Sequence, residues 1–295
     1  MLANPTPTPL AYEPRKEPLQ PPGPAEIADL ARIAKNSSGI SLEGGKGDFL
    51  HARLVRRLAQ LGIPDYASYA ALLDSPAGEL EHRHFLEAIT THTTRFFRER
   101  SQYDWLRTHG IPLLREDGAG LNTELIIWSA ACSSGQELYS ALMIVGEKIE
   151  SNGLRLRYSG IGTDLSQKIL RNAELGIYCS EDVSDIPEHL RREFLLSSIK
   201  NPNLFKICPS LREKAKWVHA NLTEHNRLPH FQANVAFLRN VLIYFDLATR
   251  KQVIRNVLSR IAPGGFLLTG HTETLSPREF GLTAIRPSIY RKDEQ

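Results

Sequence analysis

The chain has 295 residues, 41% of them hydrophobic and 23% charged, with a formal net charge of +3. That length suits one large domain or a small domain followed by a medium one, with enough apolar material for a core. So slight a charge excess argues against nucleic-acid binding by the chain as a whole and leaves any electrostatic docking surface local.

In chain order, residues 1–24 are studded with proline (Pro5, Pro7, Pro9, Pro14, Pro18, Pro21, Pro22, Pro24). Such a stretch holds neither helix nor ladder, so an extended tail is expected. Met1-Leu2-Ala3-Asn4-Pro5 lacks the basic and apolar regions of a signal peptide. No apolar run nears a membrane span in length, so a cytoplasmic protein is expected, with no membrane insertion. Residues 25–91 read as a small all-α domain. A first helix over Ala25–Ala34 is closed by Asn36-Ser37-Ser38-Gly39. A second is capped by Asp48 and runs to Leu61, before Gly62 and Pro64. Tyr66–Leu73 and Glu79–Ile89 complete the domain. In the second helix Leu50, Leu54, Leu58 and Leu61 share a stripe; Arg53 and Arg56 fall away from it, and Arg57 lies near its edge. A solvated face and a docking face for an acidic partner both fit that pattern.

After Gly120 the rhythm changes. Leu125–Trp128 is a short apolar run suited to a buried parallel strand, followed by a helix over Gln136–Glu150. Tyr158–Gly162 reads as a strand, and Leu165–Leu175 as a helix stopped by Gly176. Val235–Leu238 and Phe266–Thr269 are further strands, separated by a helix over Leu247–Ile261 that Pro263-Gly264-Gly265 ends. Strands alternating with helices predict a doubly wound, Rossmann-like α/β sheet over 92–295. Ligands of such sheets lie beyond the carboxyl ends of the strands. Cys132, Cys179 and Cys208 form no CxxC pair, which argues against a disulfide framework or a zinc site; no metal ligand set is assigned.

The residues at those strand ends carry the functional reading. Ser129-Ala130-Ala131-Cys132-Ser133-Ser134-Gly135-Gln136-Glu137 is rich in small residues, which let a backbone approach a ligand at a helix N-terminus. Asp164 closes the second strand, where a carboxylate suits a ribose diol; it also suits an N-cap of the following helix. The interval from Gly135 to Asp164 is longer than the dinucleotide fingerprint allows, which counts against NAD. Phe237-Leu238-Arg239-Asn240-Val241-Leu242-Ile243-Tyr244-Phe245-Asp246 sets polar groups in an apolar run, with Tyr244 read at the strand end. Thr93-Thr94-Arg95-Phe96-Phe97-Arg98 sets arginines beside two aromatic residues read as core packing.

Together, from about Ile27 to the end, these segments resemble the chemotaxis receptor methyltransferases, which methylate glutamates of bacterial chemoreceptors. The resemblance rests on Thr94-Arg95-Phe96-Phe97-Arg98, Trp128 to Glu137, Gly162-Thr163-Asp164, Asn221-Leu222, Arg239 to Asp246 and Gly270-His271-Thr272-Glu273. It implies that S-adenosylmethionine (product S-adenosylhomocysteine) is held at His92, Thr94, Arg98, Glu137, Asp164, Asn221, Leu222, Arg239 and Asn240. It implies that Arg98 and Tyr244 orient the reacting carboxylates. His271 and Glu273 are read as structural. It further implies a small antiparallel β insertion, about 186–219, that grips the receptor. The chemoreceptor cytoplasmic domain is then the partner, met through the Arg53, Arg56 face and the insertion by a monomer. Three positions depart from the family pattern: His92 replaces a usual Asn, Gly135 to Ser140 reads GQELYS for GEEPYS, and Phe231-Gln232-Ala233-Asn234-Val235 lacks a usual Asp. A methyltransferase with another acceptor, and a non-catalytic module that senses the cofactor, are the competing functions.

Overall fold

The structure is a computed structural model and describes residues 19–42, 46–152 and 156–294. Most of the proline-rich tail, residues 1–18, lies outside the described residues. The chain divides into two compact units between Thr90 and Thr91.

Among its described residues the first unit holds four α-helices: α1 (Pro24–Ser38), α2 (Gly47–Leu61), α3 (Tyr66–Leu73) and α4 (Glu79–Ile89). Pro24 opens α1 at a position where its missing N–H costs nothing, so the tail reading over 1–24 ends one residue late. At the other end α1 runs through Asn36-Ser37-Ser38, which were expected to close it. The Ser37 and Ser38 hydroxyls donate back to the Ile33 and Ala34 carbonyls, and Gly39, at φ 77°, makes the cap. Asp48 lies in the first turn of α2 and makes no capping bond; Lys46 occupies the cap position. Asp65 does cap α3, accepting the Ser68 N–H at 2.7 Å. Leu50, Leu54 and Leu58 are fully buried, whereas Leu61, read as part of the same stripe, is 38% exposed. Arg57 reaches the buried Glu81 at 2.5 Å, and the Tyr69 hydroxyl donates to the same carboxylate at 2.8 Å. That leaves Arg53 and Arg56 as the exposed arginines of α2.

The second unit starts with α5 (Arg100–Trp105), a π-helical turn over 106–110 and α6 (Ile111–Glu116). The alternating part follows: β1 (Leu125–Ala130), α7 (Gln136–Asn152), β2 (Tyr158–Asp164) and α8 (Gln167–Leu175). Next come β3 (Ile177–Cys179), α9 (Glu188–Phe194), β4 (Leu195–Ser197), β5 (Leu204–Ile207), the short α10 (Pro209–Arg212) and β6 (Ala215–His219). The unit ends with β7 (Ala233–Leu238), α11 (Leu247–Leu258), β8 (Ile261–Thr269), β9 (Leu282–Arg286) and β10 (Ile289–Lys292).

Seven strands form one sheet in the order β6-β2-β1-β7-β8-β10-β9, parallel except for β10. The doubly wound α/β reading holds. The chain moves outward from β1 through β2 to β6, then returns to place β7 on the other side of β1. That reversal is the switch point of an open α/β sheet, where the crevice for a ligand opens. The registers Ala130↔Thr163, Ala130↔Leu238, Leu238↔Thr269 and Asp164↔His219 bring the carboxyl ends level with one another. Trp128, Phe237 and Phe266 are fully buried in the sheet, each such side chain worth about 1.5–3 kcal/mol of burial.

Three sequence expectations are corrected here. The small antiparallel sheet, order β3-β5-β4, begins at Ile177 and ends at Ile207, and Ala215–His219 is instead a parallel edge strand of the main sheet. The insertion expected at about 186–219 therefore starts earlier and stops sooner. Helix α11 ends at Leu258, not Ile261, because Ile261 pairs with Ala233 and already belongs to β8. The bend at Pro263-Gly264-Gly265 falls inside that strand, with Gly264 at φ 72°.

Candidate active site

The loop from β1 into α7 shapes the crevice. Ala131 (φ 62°), Ser133 (φ 51°) and Gly135 (φ 93°) all adopt the left-handed region. Such backbone costs about 1–3 kcal/mol per non-glycine residue and persists only where its surroundings enforce it. Here the Ser133 N–H donates to Asp164 Oδ2 at 2.8 Å, and its hydroxyl donates to the His92 carbonyl at 2.9 Å. At Gly135 a side chain would collide with Trp217 and Ala173, so only glycine fits.

Asp164 sits 7% exposed at the end of β2. Its other oxygen accepts the Ser166 N–H at 3.0 Å, and the Leu165 N–H also bonds this carboxylate. The N-cap of α8 is Ser166, which accepts from Ile169, and the N-cap role read for Asp164 is corrected accordingly. Burial pushes the Asp164 carboxyl up, opposed by the Ser166 N–H, by His92 and by the Ser133 N–H. His92, the first departure from the family pattern, thus stands beside this carboxylate.

Glu137, in the first turn of α7, accepts from the Ser129 hydroxyl at 2.7 Å and faces Arg239 at 3.4 Å. Burial raises its carboxyl above the ordinary range; Arg239 and Ser129 oppose that, and the nearby Glu99 adds to it. Arg239 follows β7 directly and is itself buried. Its guanidinium spans Glu137 and Glu99 (3.2 Å), bonds the Tyr103 hydroxyl at 3.2 Å and donates to the Arg98 carbonyl. The resemblance implies that Arg239 contacts the cofactor; its side chain is 1% exposed among these partners.

Asn240 adopts φ 57° and hands its N–H to Glu273 at 2.6 Å. The same carboxylate accepts the N–H groups of Leu242 (2.8 Å) and Gly270 (3.0 Å), in keeping with the structural role read for it. The chain turns out of the sheet at Asn240. Tyr244, expected at a strand end, consequently lies in a single 3-10 turn over Leu242–Tyr244. It is half-buried, and its hydroxyl makes no hydrogen bond among the described residues. Arg98 is also half-buried and holds the Thr93 carbonyl at 3.2 Å. Phe96 and Phe97 are core residues as read, packed edge-on against Tyr178 and Tyr103.

Beyond β6, the Asn221 side chain accepts from Thr223 and donates to Glu224, and the buried Leu222 offers its carbonyl to Asn256. Both follow a strand end level with Asp164. Thr94 is half-buried on the segment that carries Arg98. The missing Asp of the third departure is answered by Asn234, whose Oδ1 accepts the Ile126 N–H at 2.8 Å between β7 and β1. Cys132 is buried, and its thiol is pushed well up by that burial and by Asp164 and Glu137, so it stays protonated. No group of three metal-ligating side chains occurs among the described residues. The open groove beside β6, lined by Glu174, Arg212, Lys216 and Trp217 among others, contains none of these residues.

Glu99, Tyr103 and Ser129 belong to this cluster, and sequence reasoning did not single them out as site residues. A carboxylate directly after Arg98 was the one available signal for Glu99.

Glu137 and Glu99 flank the enclosed Arg239 guanidinium, and Asp164 adds a third carboxylate at the end of β2. Oxygen Oε2 of Glu99 is buried without a hydrogen bond. Such a donor set suits a ligand that brings positive charge and a diol, and S-adenosylmethionine has both.

A profile described as the CheR methyltransferase SAM binding domain matches residues 92–288, and one described as the CheR methyltransferase all-alpha domain matches 25–90. The chain belongs to the CheR methyltransferase family. It is 32% identical over 254 residues to the chemotaxis protein methyltransferase of Klebsiella aerogenes, covering 85% of this chain and 84% of that one. It is 30% identical over 269 residues to that of Borreliella burgdorferi, covering 91% and 94%. It is 30% identical over 267 residues to that of Escherichia coli, covering 90% of each. As a CheR methyltransferase it uses S-adenosylmethionine as its methyl donor. No helix among the described residues is long and apolar enough to cross a membrane.

Proposed function

We propose that this CheR methyltransferase forms methyl esters on glutamate side chains of chemoreceptor cytoplasmic domains. The reading rests on two groups able to donate to an anionic acceptor: Arg98, whose charge acts on Glu137, and Tyr244, whose hydroxyl makes no hydrogen bond among the described residues. Such donors fit an anionic acceptor, and the relatives' names place their methylation in chemotaxis.

When bound, S-adenosylmethionine supplies an electrophilic methyl group on a sulfonium. A glutamate acceptor, with an ordinary pKa of about 4.3, is already ionised at neutral pH, so the residues need no general base. Arg98 and Tyr244 orient the acceptor carboxylate toward the methyl group. Glu137 pairs with the cofactor's ammonium. Asp164 accepts from the ribose hydroxyls. Asn240, Asn221 and Leu222 face the adenine or the methionyl group, with His92 and Thr94 alongside. Arg239 holds Glu137 in place from behind.

The receptor meets the exposed Arg53 and Arg56 of α2, and the open edges β3 and β4 of the small sheet offer strand addition. The enzyme works as a cytoplasmic monomer. The deciding experiment incubates the enzyme with methyl-labelled S-adenosylmethionine and a receptor cytoplasmic fragment, then treats the product with base. Base-labile label on glutamate is expected. Base-stable label would assign another acceptor, and cofactor binding without transfer would make the protein a sensing module.

A further inference from the structure

Arg98 stands between two non-glycine residues in the left-handed region, Phe97 (φ 51°) and Glu99 (φ 61°). Such backbone survives only where neighbouring contacts over-determine it. The Phe97 end is held by its N–H on the Ser140 hydroxyl at 3.0 Å and by its ring, buried 5.2 Å from that of Tyr103. The Glu99 end is tied to distant parts of the chain by its carboxylate. Oε1 accepts the His271 N–H at 3.2 Å, and Oε2 lies 3.2 Å from Arg239 Nη2. That same Nη2 donates to the Arg98 carbonyl. One nitrogen thus grips the backbone of Arg98 and the side chain of Glu99 together.

We propose that Glu99 is a positioning residue: through Arg239 and the turn at His271 it sets the place from which Arg98 meets the acceptor. The inference rests on the reading of Arg98 as acceptor-facing. The chemistry requires the charge of Glu99, not only its bulk. Arg239 is shared between Glu99 and Glu137, its nitrogens 3.2 and 3.4 Å from them. Without a charge at 99 the guanidinium moves toward Glu137 and releases the Arg98 carbonyl. The exposed imidazole of His271, 3.7 Å from Glu99, is no substitute anchor, since the tie is made by the His271 backbone.

Glu99→Gln keeps the size of the side chain and an acceptor for the His271 N–H while removing the charge. Steady-state kinetics with a receptor fragment, S-adenosylhomocysteine calorimetry and a melting curve are recorded for it. A kcat lowered about 10–100-fold is expected, the effect of a misplacement of roughly an ångström. The loss in kcat is expected to exceed any loss in cofactor-product affinity, which Arg239 would transmit through Glu137, and the variant is expected to stay folded at the assay temperature. A changed affinity with parent kcat would assign Glu99 to the cofactor and overturn the proposal. A parent kcat with a lowered melting temperature would leave it a packing residue and overturn it equally. Where both kcat and melting temperature fall, Arg98→Met and the double variant decide. If Glu99 acts through Arg98, Glu99→Gln lowers kcat no further in the Arg98→Met background, whereas multiplicative losses overturn the proposal. An Arg98→Met variant with parent kcat would instead refute the acceptor-facing reading of Arg98, a result distinct from any obtained at Glu99.

Discussion

The Glu273 carboxylate holds the Asn240 N–H at 2.6 Å and thereby fixes a non-glycine residue at φ 57°. It does so from the end of the neighbouring strand, and it holds Leu242 and Gly270 as well. Glu273→Gln should therefore loosen the loop that carries Asn240 and Tyr244, since one amide oxygen cannot replace two and its NH2 confronts a backbone donor. A loss of about 1.5–3 kcal/mol is expected, read as a drop in the thermal transition that S-adenosylhomocysteine raises. A variant with the parent transition and parent affinity would show that the loop stands without Glu273.

Cofactor binding should weaken as pH falls, and earlier than ordinary carboxylates would dictate. Burial raises Glu137 and Asp164, so protons return to them in a window that starts above the usual carboxylate range. The raised values favour the protonated forms in the folded protein. The free protein therefore loses stability from these groups as pH rises through that window, while binding that requires the charged forms gains. Calorimetry with S-adenosylhomocysteine at pH 7 and at mildly acid pH should show this, and Glu137→Gln should flatten the dependence. Equal slopes for parent and variant would remove Glu137 from the cofactor site.

Asp164→Ala should cost about 1–3 kcal/mol of binding to the same ligand, by loss of the ribose contacts. It also removes the acceptor for the left-handed Ser133, so circular dichroism must accompany the calorimetry. Unchanged affinity in a folded variant would place the ribose elsewhere.

The free hydroxyl of Tyr244 makes Tyr244→Phe a clean test. With no internal hydrogen bond to lose, stability should move by less than about 0.5 kcal/mol. Turnover should fall about 10–100-fold with cofactor affinity kept, because the hydroxyl acts on the acceptor during transfer. A parent kcat would exclude Tyr244 from the transfer step.

Reversing the exposed Arg53 and Arg56 together to Glu should spare folding and cofactor affinity, since Arg57, not these two, pairs with buried Glu81. Receptor methylation should drop about tenfold at low salt, equivalent to ~1.4 kcal/mol. The difference from the parent should fade as salt shortens the Debye length below ~8 Å. Parent rates at every salt concentration would make this helix face merely solvated.

What could be read from the sequence follows the range of the interactions involved. Tyr66–Leu73 and Glu79–Ile89 match their sequence reading to the residue because local signals, such as Asp65 at the cap, decide them. The strand-end placement of Glu137, Asp164 and Asn240 was legible because apolar runs stop there. Ala215–His219 was legible as a strand but was placed in the insertion, because its parallel pairing with β2 joins residues some 55 positions apart. The partnerships of Glu99, Tyr103 and Arg239 were illegible for the same reason. The bonds of Arg239 to Tyr103 and Arg98 and of Glu99 to His271 join residues more than 130 positions apart, and only the sheet order brings those positions together.

The place of Glu273 late in the chain also bears on how the enzyme is made. A ribosome delivers Asp164 and Glu137 long before it delivers the residue that steadies Asn240, and β8, which must flank β7, ends only at Thr269. A nascent chain stopped short of that point can pair β1 with β2 yet cannot close the crevice. A chain truncated before Glu273 is therefore expected to lose S-adenosylhomocysteine binding, which calorimetry on the truncated protein checks.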